Sequence, residues 1–335
     1  RCDSVNLDGS DKDVNQERST YAHAQKMRAS MTYVFGRIYG LGTLPWHKDS
    51  STGNMVGNPS VSVAVSSYIV SLLRRKVQAG ETATSARAIT SKMLYDLYHF
   101  NHCEENWKIR EVASHKKSDT TEDWGGGQTR RLLQFAYTIS FLCLLRFDEV
   151  LKIQAHDIDL ISPTCIKLTL PFRKTAQNGD IKPFVLHQLS EAERHLCPVT
   201  ALAEWIEYSK IKQGPLFPKM NKHEQILQNQ STPMSTEKFL ECFRNNLIDI
   251  GVDPSPYGTH SFRRGGCQYL SSERRWTIRR ICEWGGWSTD FTHMTIVKYL
   301  MSWNDVPTER REDFFNPSIA PTVKCYSCGR TCACA

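Results

Sequence analysis

The sequence predicts a mainly α protein with a small antiparallel β-sheet, an α+β chain of two domains. Three observations carry that expectation. Apolar residues recur at helical spacing over most of the chain. Alternation of period two, the mark of a strand, occurs around Ile166, Leu168 and Leu170. A polar, glycine-rich stretch at 114–128, SHKKSDTTEDWGGGQ, separates two apolar regions. The 335 residues suit two domains, and the 40 % apolar content supports real cores.

Residues 1–16 carry Asp3, Asp8, Asp11 and Asp13 with few large apolar residues, and read as a flexible leader. Met27, Met31, Val34 and Ile38 at spacings of three and four predict a helix over 20–41. Further helices are expected over 60–79 and 82–102, which makes 17–113 an all-helical amino-terminal domain. Residues 114–128 then form the linker, and 129–318 the second domain. That domain opens on a long apolar helix expected over 129–153. The strand around Ile166 to Leu170 is expected to turn at Asn178-Gly179, where both residues tolerate positive φ, and to return over 181–186. Pro198 starts a helix that runs to about Lys210. Another spans 235–250 and stops at Gly251. An arginine-rich helical region follows Pro254 and Pro256.

Charge narrows the partners. The net charge of +7 is mild, but six arginines (263, 264, 274, 275, 279, 280) stand against one acid, Glu273, between His260 and Arg280. Such clustering suits phosphate groups. No apolar run is long enough to span a bilayer: 132–145 is the best candidate and is interrupted by Gln134, Thr138 and Ser140. The chain begins at Arg1 rather than Met, as expected of a segment of a longer protein. Eight of the twelve cysteines lie scattered from Cys2 to Cys282 in mostly apolar contexts, which predicts reduced thiols and an intracellular protein. The other four, Cys325, Cys328, Cys332 and Cys334, crowd a tail at 319–335. Four thiolates could hold zinc, but Cys332 and Cys334 are too close for the usual pair of knuckles, so no metal site is assigned.

A metal-free reaction at a phosphodiester needs preorganised cations for the phosphoryl oxygens, a nucleophile, and a proton donor for the leaving oxygen. Residues of those types occur in one order here. Leu144-Leu145-Arg146-Phe147-Asp148-Glu149-Val150 holds an arginine three residues ahead of an acid. Thr259-His260-Ser261-Phe262-Arg263-Arg264 puts His260 and Arg263 on one helix face. Trp284-Gly285-Gly286-Trp287 precedes Thr295-Ile296-Val297-Lys298-Tyr299-Leu300. The set resembles the signature boxes of the tyrosine recombinases, the phage-integrase type, over about 129–303.

The resemblance implies a catalytic domain of that type behind a helical DNA-clamping domain. It implies Tyr299 as nucleophile, forming a 3′-phosphotyrosyl link. Arg146, Arg263, His260 and Trp287 would bind the phosphoryl oxygens. Lys174 of the hairpin would act as general acid, with Lys182 and Lys167 as alternatives, and Glu149 would orient its neighbours. Trp287 stands where most members have histidine. Its interval to Tyr299 is three residues longer than in bacterial members, and His293 inside it competes for the donor role. Arg264, Arg274, Arg275, Arg279 and Arg280 are expected to bind DNA. The implied partners are double-stranded DNA and further copies of the chain, as a tetramer on paired sites, with neither metal nor ATP as cofactor. The chain looks most like eukaryotic Crypton-type mobile-element recombinases, which implies transposition and a nuclear location. The alternatives are a catalytically silent DNA-binding protein of the same fold and a type IB topoisomerase. Plasmid relaxation without site preference would mark the topoisomerase.

Overall fold

The computed structural model describes residues 2–6, 8–13, 20–81, 86–109, 124–171, 181–221, 223–226, 232–287, 295–301 and 318. The fold is mainly helical with small antiparallel sheets. It forms two compact units, Arg1–Ala83 and Thr84–Ala335.

The first unit holds helix α1 (Tyr21–Tyr33), which runs on through a wider turn over Val34–Ile38, and helix α2 (Val63–Gln78). Thr20 and Ser62 cap them by accepting from the backbone N–H of His23 and Val65. The glycine-rich loop between them contains an unexpected two-stranded hairpin, β1 (His47–Lys48) and β2 (Met55–Val56). The buried apolar set is small: Cys2, Ala24, Ile69 and Leu72.

The acidic leader is tied down where it is described. The Asp3 carboxylate is buried, and accepts from Arg75 Nη2 at 2.6 Å, Arg75 Nε at 3.1 Å and the Tyr68 hydroxyl at 2.7 Å. Burial alone would raise its pKa. The Arg75 and Tyr68 hydrogen bonds outweigh that, and bring it from 3.8 to about 2. A depressed carboxyl stabilises the folded state above its unfolded pKa, and the contribution is lost as pH falls through the folded value. With Arg75 partly open to solvent, the contribution is roughly 1–2 kcal/mol. Asp3→Asn is therefore expected to lower the urea midpoint of this unit at pH 7 and to leave it nearly unchanged near pH 2. An equal effect at both pH values would show that the charge is irrelevant.

The second unit is built around helix α5 (Gly127–Leu142), of whose 16 residues 14 are buried. Around it stand α3 (Ser91–Asn101), the short α4 (Glu104–Trp107), α7 (Pro198–Ser209) and α9 (Ser261–Ser272). Phe239 and Phe243 of α8 (Thr236–Asp249) and Phe262 surround Tyr137 in an aromatic cluster, which Phe147 joins through Phe239 and Phe262. The units divide ahead of the 114–128 stretch that composition singled out. The reason is burial: Ile89, Leu94 and Leu97, at and just before α3, share one core with α5. At the end of that stretch Gly126, Gly127 and Gln128 are buried, and the Trp124 indole donates to Asp249 at 3.2 Å.

The helix expected over 129–153 is broken. α5 stops at Leu142, and Leu144 adopts φ 55°, a left-handed conformation that costs a leucine roughly 1–2 kcal/mol. Cys143 and Leu145 close the turn by donating to the carbonyls of Ile139 and Ser140. A one-turn helix, α6 (Phe147–Val150), then restarts in a new direction.

Among the described residues the larger sheet has three strands: β3 (Ile158–Ser162), β4 (Cys165–Leu168) and β5 (Phe184–His187). They are antiparallel in the order β3-β4-β5, with Asp159 opposite Lys167 and Leu168 opposite Phe184. β4 and β5 are the expected pair. β3 was not expected, since Leu160 and Ile161 are both exposed and its residues do not alternate. The chain ends its described part with α10 (Ile278–Gly285) and α11 (Thr295–Leu300). No described helix is long and apolar enough to cross a membrane.

Candidate active site

The break after α5 makes one side of the site. The turn presents Arg146 at the start of α6, and Glu149 Oε2 accepts from the Arg146 backbone N–H at 2.8 Å. Glu149 is buried, and its carboxylate is shared. Oε2 also accepts from Arg263 Nη2 at 2.5 Å, while Oε1 lies 3.8 Å from Arg146 Nη1. One carboxylate thus aligns both arginines.

Helix α9 brings the second arginine in. Gly265 and Gly266 allow the approach: a Cβ on Gly266 would stand 2.0 Å from the Phe141 carbonyl oxygen of α5, and one on Gly265 would stand 2.0 Å from that of Ile89. Arg263 is 1 % exposed. Its Nε donates to the Leu144 carbonyl at 2.7 Å, so the strained turn and Glu149 together fix its plane.

The aromatic side comes from α10 and α11. Gly286 ends α10 at φ 62°, and the Trp287 N–H returns to the Cys282 carbonyl, which turns the indole inward. Trp287 stacks on Tyr299 at 5.2 Å, and His260 lies 6.3 Å from Tyr299 with rings 24° apart. The Arg263 guanidinium carbon stands 5.8 Å from both the Trp287 and Tyr299 rings. α11 is anchored by buried Ile296 and by Gln268 of α9, which donates to the Leu300 carbonyl at 3.2 Å. Burial depresses the His260 pKa below 6.5, and the charges of Arg263 and Arg146 depress it further. The imidazole is therefore neutral at physiological pH, able to donate at one nitrogen and accept at the other. Its Nδ1 is buried without a hydrogen-bond partner among the described residues.

Arg146, Glu149, His260, Arg263, Trp287 and Tyr299 thus come together from sequence positions up to 153 apart. Two cations, a neutral imidazole, an indole donor and a phenol can together serve an anionic phosphoryl group. Lys174 lies in the β4–β5 connection, outside the described residues, as do His293 and the cysteine tail. Of the alternatives to Lys174, Lys167 is held by Asp159 at 2.8 Å and Lys182 is exposed just before β5.

The other arginines are placed differently. Arg264 is buried, with 3 % exposed, on α9 directly after Arg263. Arg274 and Arg275 follow the far end of α9, about 15 Å along its axis from Arg263. Arg279 and Arg280 begin α10, at the opposite end from Trp287. Arg274 pairs with Glu193 at 3.0 Å, Arg279 with Glu283 at 3.1 Å, and Arg280 covers the Trp276 ring at 4.1 Å. These four stand at the ends of α9 and α10 away from Arg263 and Trp287.

Sequence reasoning missed Glu224. From φ 62° its carboxylate accepts from the backbone N–H of Gly126 at 2.6 Å and of Thr129 at 3.1 Å, and from the Thr129 hydroxyl. It caps the helix that carries the Arg146 turn. A glutamate 98 residues from the amide it caps leaves no local signal.

No protein-family model matches the sequence. Over 127 residues the chain is 24 % identical to a protein of Selenomonas ruminantium described as an integrase/recombinase xerD homolog. The match spans 38 % of this chain and 36 % of that relative, about a third of each. Among solved structures, XerH site-specific recombinase bound to palindromic difH substrate, a post-cleavage complex, aligns with a TM-score of 0.49 at 11 % identity, covering 88 % of this chain and 63 % of that one. A lambda integrase (75–356) dimer bound to a COC′ core site aligns with a TM-score of 0.40 at 12 % identity, covering 89 % and 87 %.

Proposed function

We propose that this chain is a tyrosine-type DNA recombinase, which cleaves and rejoins double-stranded DNA through a covalent tyrosyl intermediate. The observation that carries the reading is the single carboxylate of Glu149 aligning Arg146 and Arg263 beside the stacked Trp287 and Tyr299. The similarity to an integrase/recombinase homolog supports it.

In this mechanism the Tyr299 hydroxyl oxygen attacks a DNA phosphorus. The bond to the 5′ oxygen breaks, and a 3′-phosphotyrosyl link forms. Arg146, Arg263 and the Trp287 indole N–H meet the negative charge that builds on the non-bridging oxygens. Neutral His260 can take the phenolic proton, or donate to a phosphoryl oxygen. Lys174, or Lys182 in its place, protonates the leaving 5′ oxygen. Attack by the 5′ hydroxyl of a partner strand reverses the step, so neither ATP nor a metal is consumed. Arg274, Arg275, Arg279 and Arg280 contact flanking phosphates, with marked salt dependence of binding.

The finer reading is a eukaryotic Crypton-type mobile-element recombinase, active in transposition, tetrameric on paired sites and nuclear. It draws on the long interval from Trp287 to Tyr299, the Gly265-Gly266 pair and the reduced cysteines.

The test uses a pool of nicked suicide duplexes with randomised cores, incubated with the protein in excess chelator. A covalent protein–DNA adduct is expected on denaturing gels, and Tyr299→Phe is expected to abolish it. An adduct that persists in Tyr299→Phe, or none with the wild type, would sink the assignment.

A further inference from the structure

The turn that presents Arg146 is held from two sides. Arg263 donates to the Leu144 carbonyl, and the Trp284 indole Nε1 donates to the Leu142 carbonyl at 2.7 Å. Leu142 is the last residue of α5, and its carbonyl is one of those that every helix leaves without an intrahelical partner. Between the Leu142 tether and Arg146, the backbone passes through the left-handed conformation at Leu144. A leucine does not hold that conformation by its own preference, so the surroundings must.

Trp284 is itself fixed from the sheet. Its ring meets Phe184, the first residue of β5, edge-on at 4.9 Å, and Trp276 at 5.9 Å with planes 89° apart. One indole therefore joins two features. One is the strand on which the β4–β5 connection returns, and the other is the turn that aims Arg146.

We propose that Trp284 is a positioning residue of the candidate site, whose indole N–H ties the Arg146 turn to β5 so that Arg146 and the β4–β5 hairpin keep one mutual arrangement. The proposal rests on reading this site as the one that attacks a DNA phosphate. A purely space-filling Trp284 would make a different prediction, because Trp284→Phe keeps the ring between Phe184 and Trp276 and removes only the donor.

His260 reports on the turn independently of activity. Besides burial, its titration is depressed by Arg263 and Arg146 and opposed by Asp148 and Glu149, the charged groups that face it from α9 and α6. Arg146 outweighs either acid. A turn that swings away carries Arg146 and both acids with it and admits water, and the relief of burial, the largest of these causes, raises the imidazole pKa toward 6.5.

The experiment follows the His260 ring by NMR against pH in wild type and Trp284→Phe, alongside adduct formation and DNA affinity. The expected result is an upward shift of His260 in the variant. Adduct formation should slow about tenfold, with DNA affinity unchanged. An unchanged His260 titration in folded Trp284→Phe overturns the proposal. Should that variant not fold, the wild-type Trp284 indole proton decides: slow solvent exchange supports the tether, and exchange at the rate of a free indole overturns it. A wild type that forms no adduct would remove the recombinase reading, while the His260 shift would still decide the role of Trp284.

Discussion

Glu149→Ala is expected to cost the second unit roughly 3–5 kcal/mol, measured by urea unfolding. The Arg263 and Glu149 side chains are 2 % and 3 % exposed, so the substitution leaves a guanidinium buried without its counter-charge. The helix start at Arg146 also loses its reciprocal hydrogen bond, worth about 1 kcal/mol. Arg263→Ala is expected to be similarly severe, since it strands the carboxylate. The double change Glu149→Leu with Arg263→Met should recover much of the loss, because desolvating two charges cancels most of what their attraction returns. That recovery would separate the roles: stability would return while adduct formation would not. A loss below about 1 kcal/mol for Glu149→Ala would mean that the pair is hydrated in solution, and that the shared carboxylate does not organise the site.

Gly266→Ala is expected to be nearly as damaging, at roughly 3 kcal/mol or more. The added Cβ would stand 2.0 Å from the Phe141 carbonyl oxygen and 2.6 Å from Leu144 Cδ2. The backbone of α5 cannot yield as a flexible side chain would, so α9 must back away and take His260 and Arg263 with it. Helix propensity runs the other way, since alanine is favoured over glycine by about 1 kcal/mol. A fall in stability would therefore isolate the packing effect. In a unit of this size such a loss lowers the melting temperature by roughly 6–12 °C. Gly258→Ala is the control, because its Cβ would meet only the Ala86 Cβ at 3.6 Å and should be tolerated. Equal melting temperatures for Gly266→Ala and wild type would show that the two helices are less closely packed than the structure has them.

The Gly265-Gly266 pair also shows how far sequence reasoning reaches. In the sequence it is an unusual dipeptide inside a helical pattern, and it reads as a mark of lineage. In the structure it is a contact surface, explained by the carbonyls of Ile89 and Phe141, which lie far away in the chain. Trp284 behaves in the same way. Its place in a glycine- and tryptophan-rich segment is plain, but the Leu142 carbonyl that it bonds is 142 residues distant. The helix expected over 129–153 failed for a related reason. Its apolar run continues through Cys143, Leu144 and Leu145, and no glycine or proline announces a stop. The break is imposed on a leucine from outside, by Arg263 and Trp284. The boundary expected at 114–128 followed composition alone, whereas α3 was claimed by the core of α5 through three buried side chains.

By itself the sequence determined the helical class, the β4–β5 pair, most helix positions, and the order in which Arg146, His260, Arg263, Trp287 and Tyr299 appear. These follow from local periodicity, caps and residue chemistry, which act over a few residues. Only the tertiary structure decided that one buried carboxylate aligns both arginines, and that α5 ends at a strained leucine. It also decided that the arginines from 274 to 280 stand at the far ends of α9 and α10. Those outcomes depend on which distant groups share a desolvated space, where an unpaired charge or carbonyl is costly.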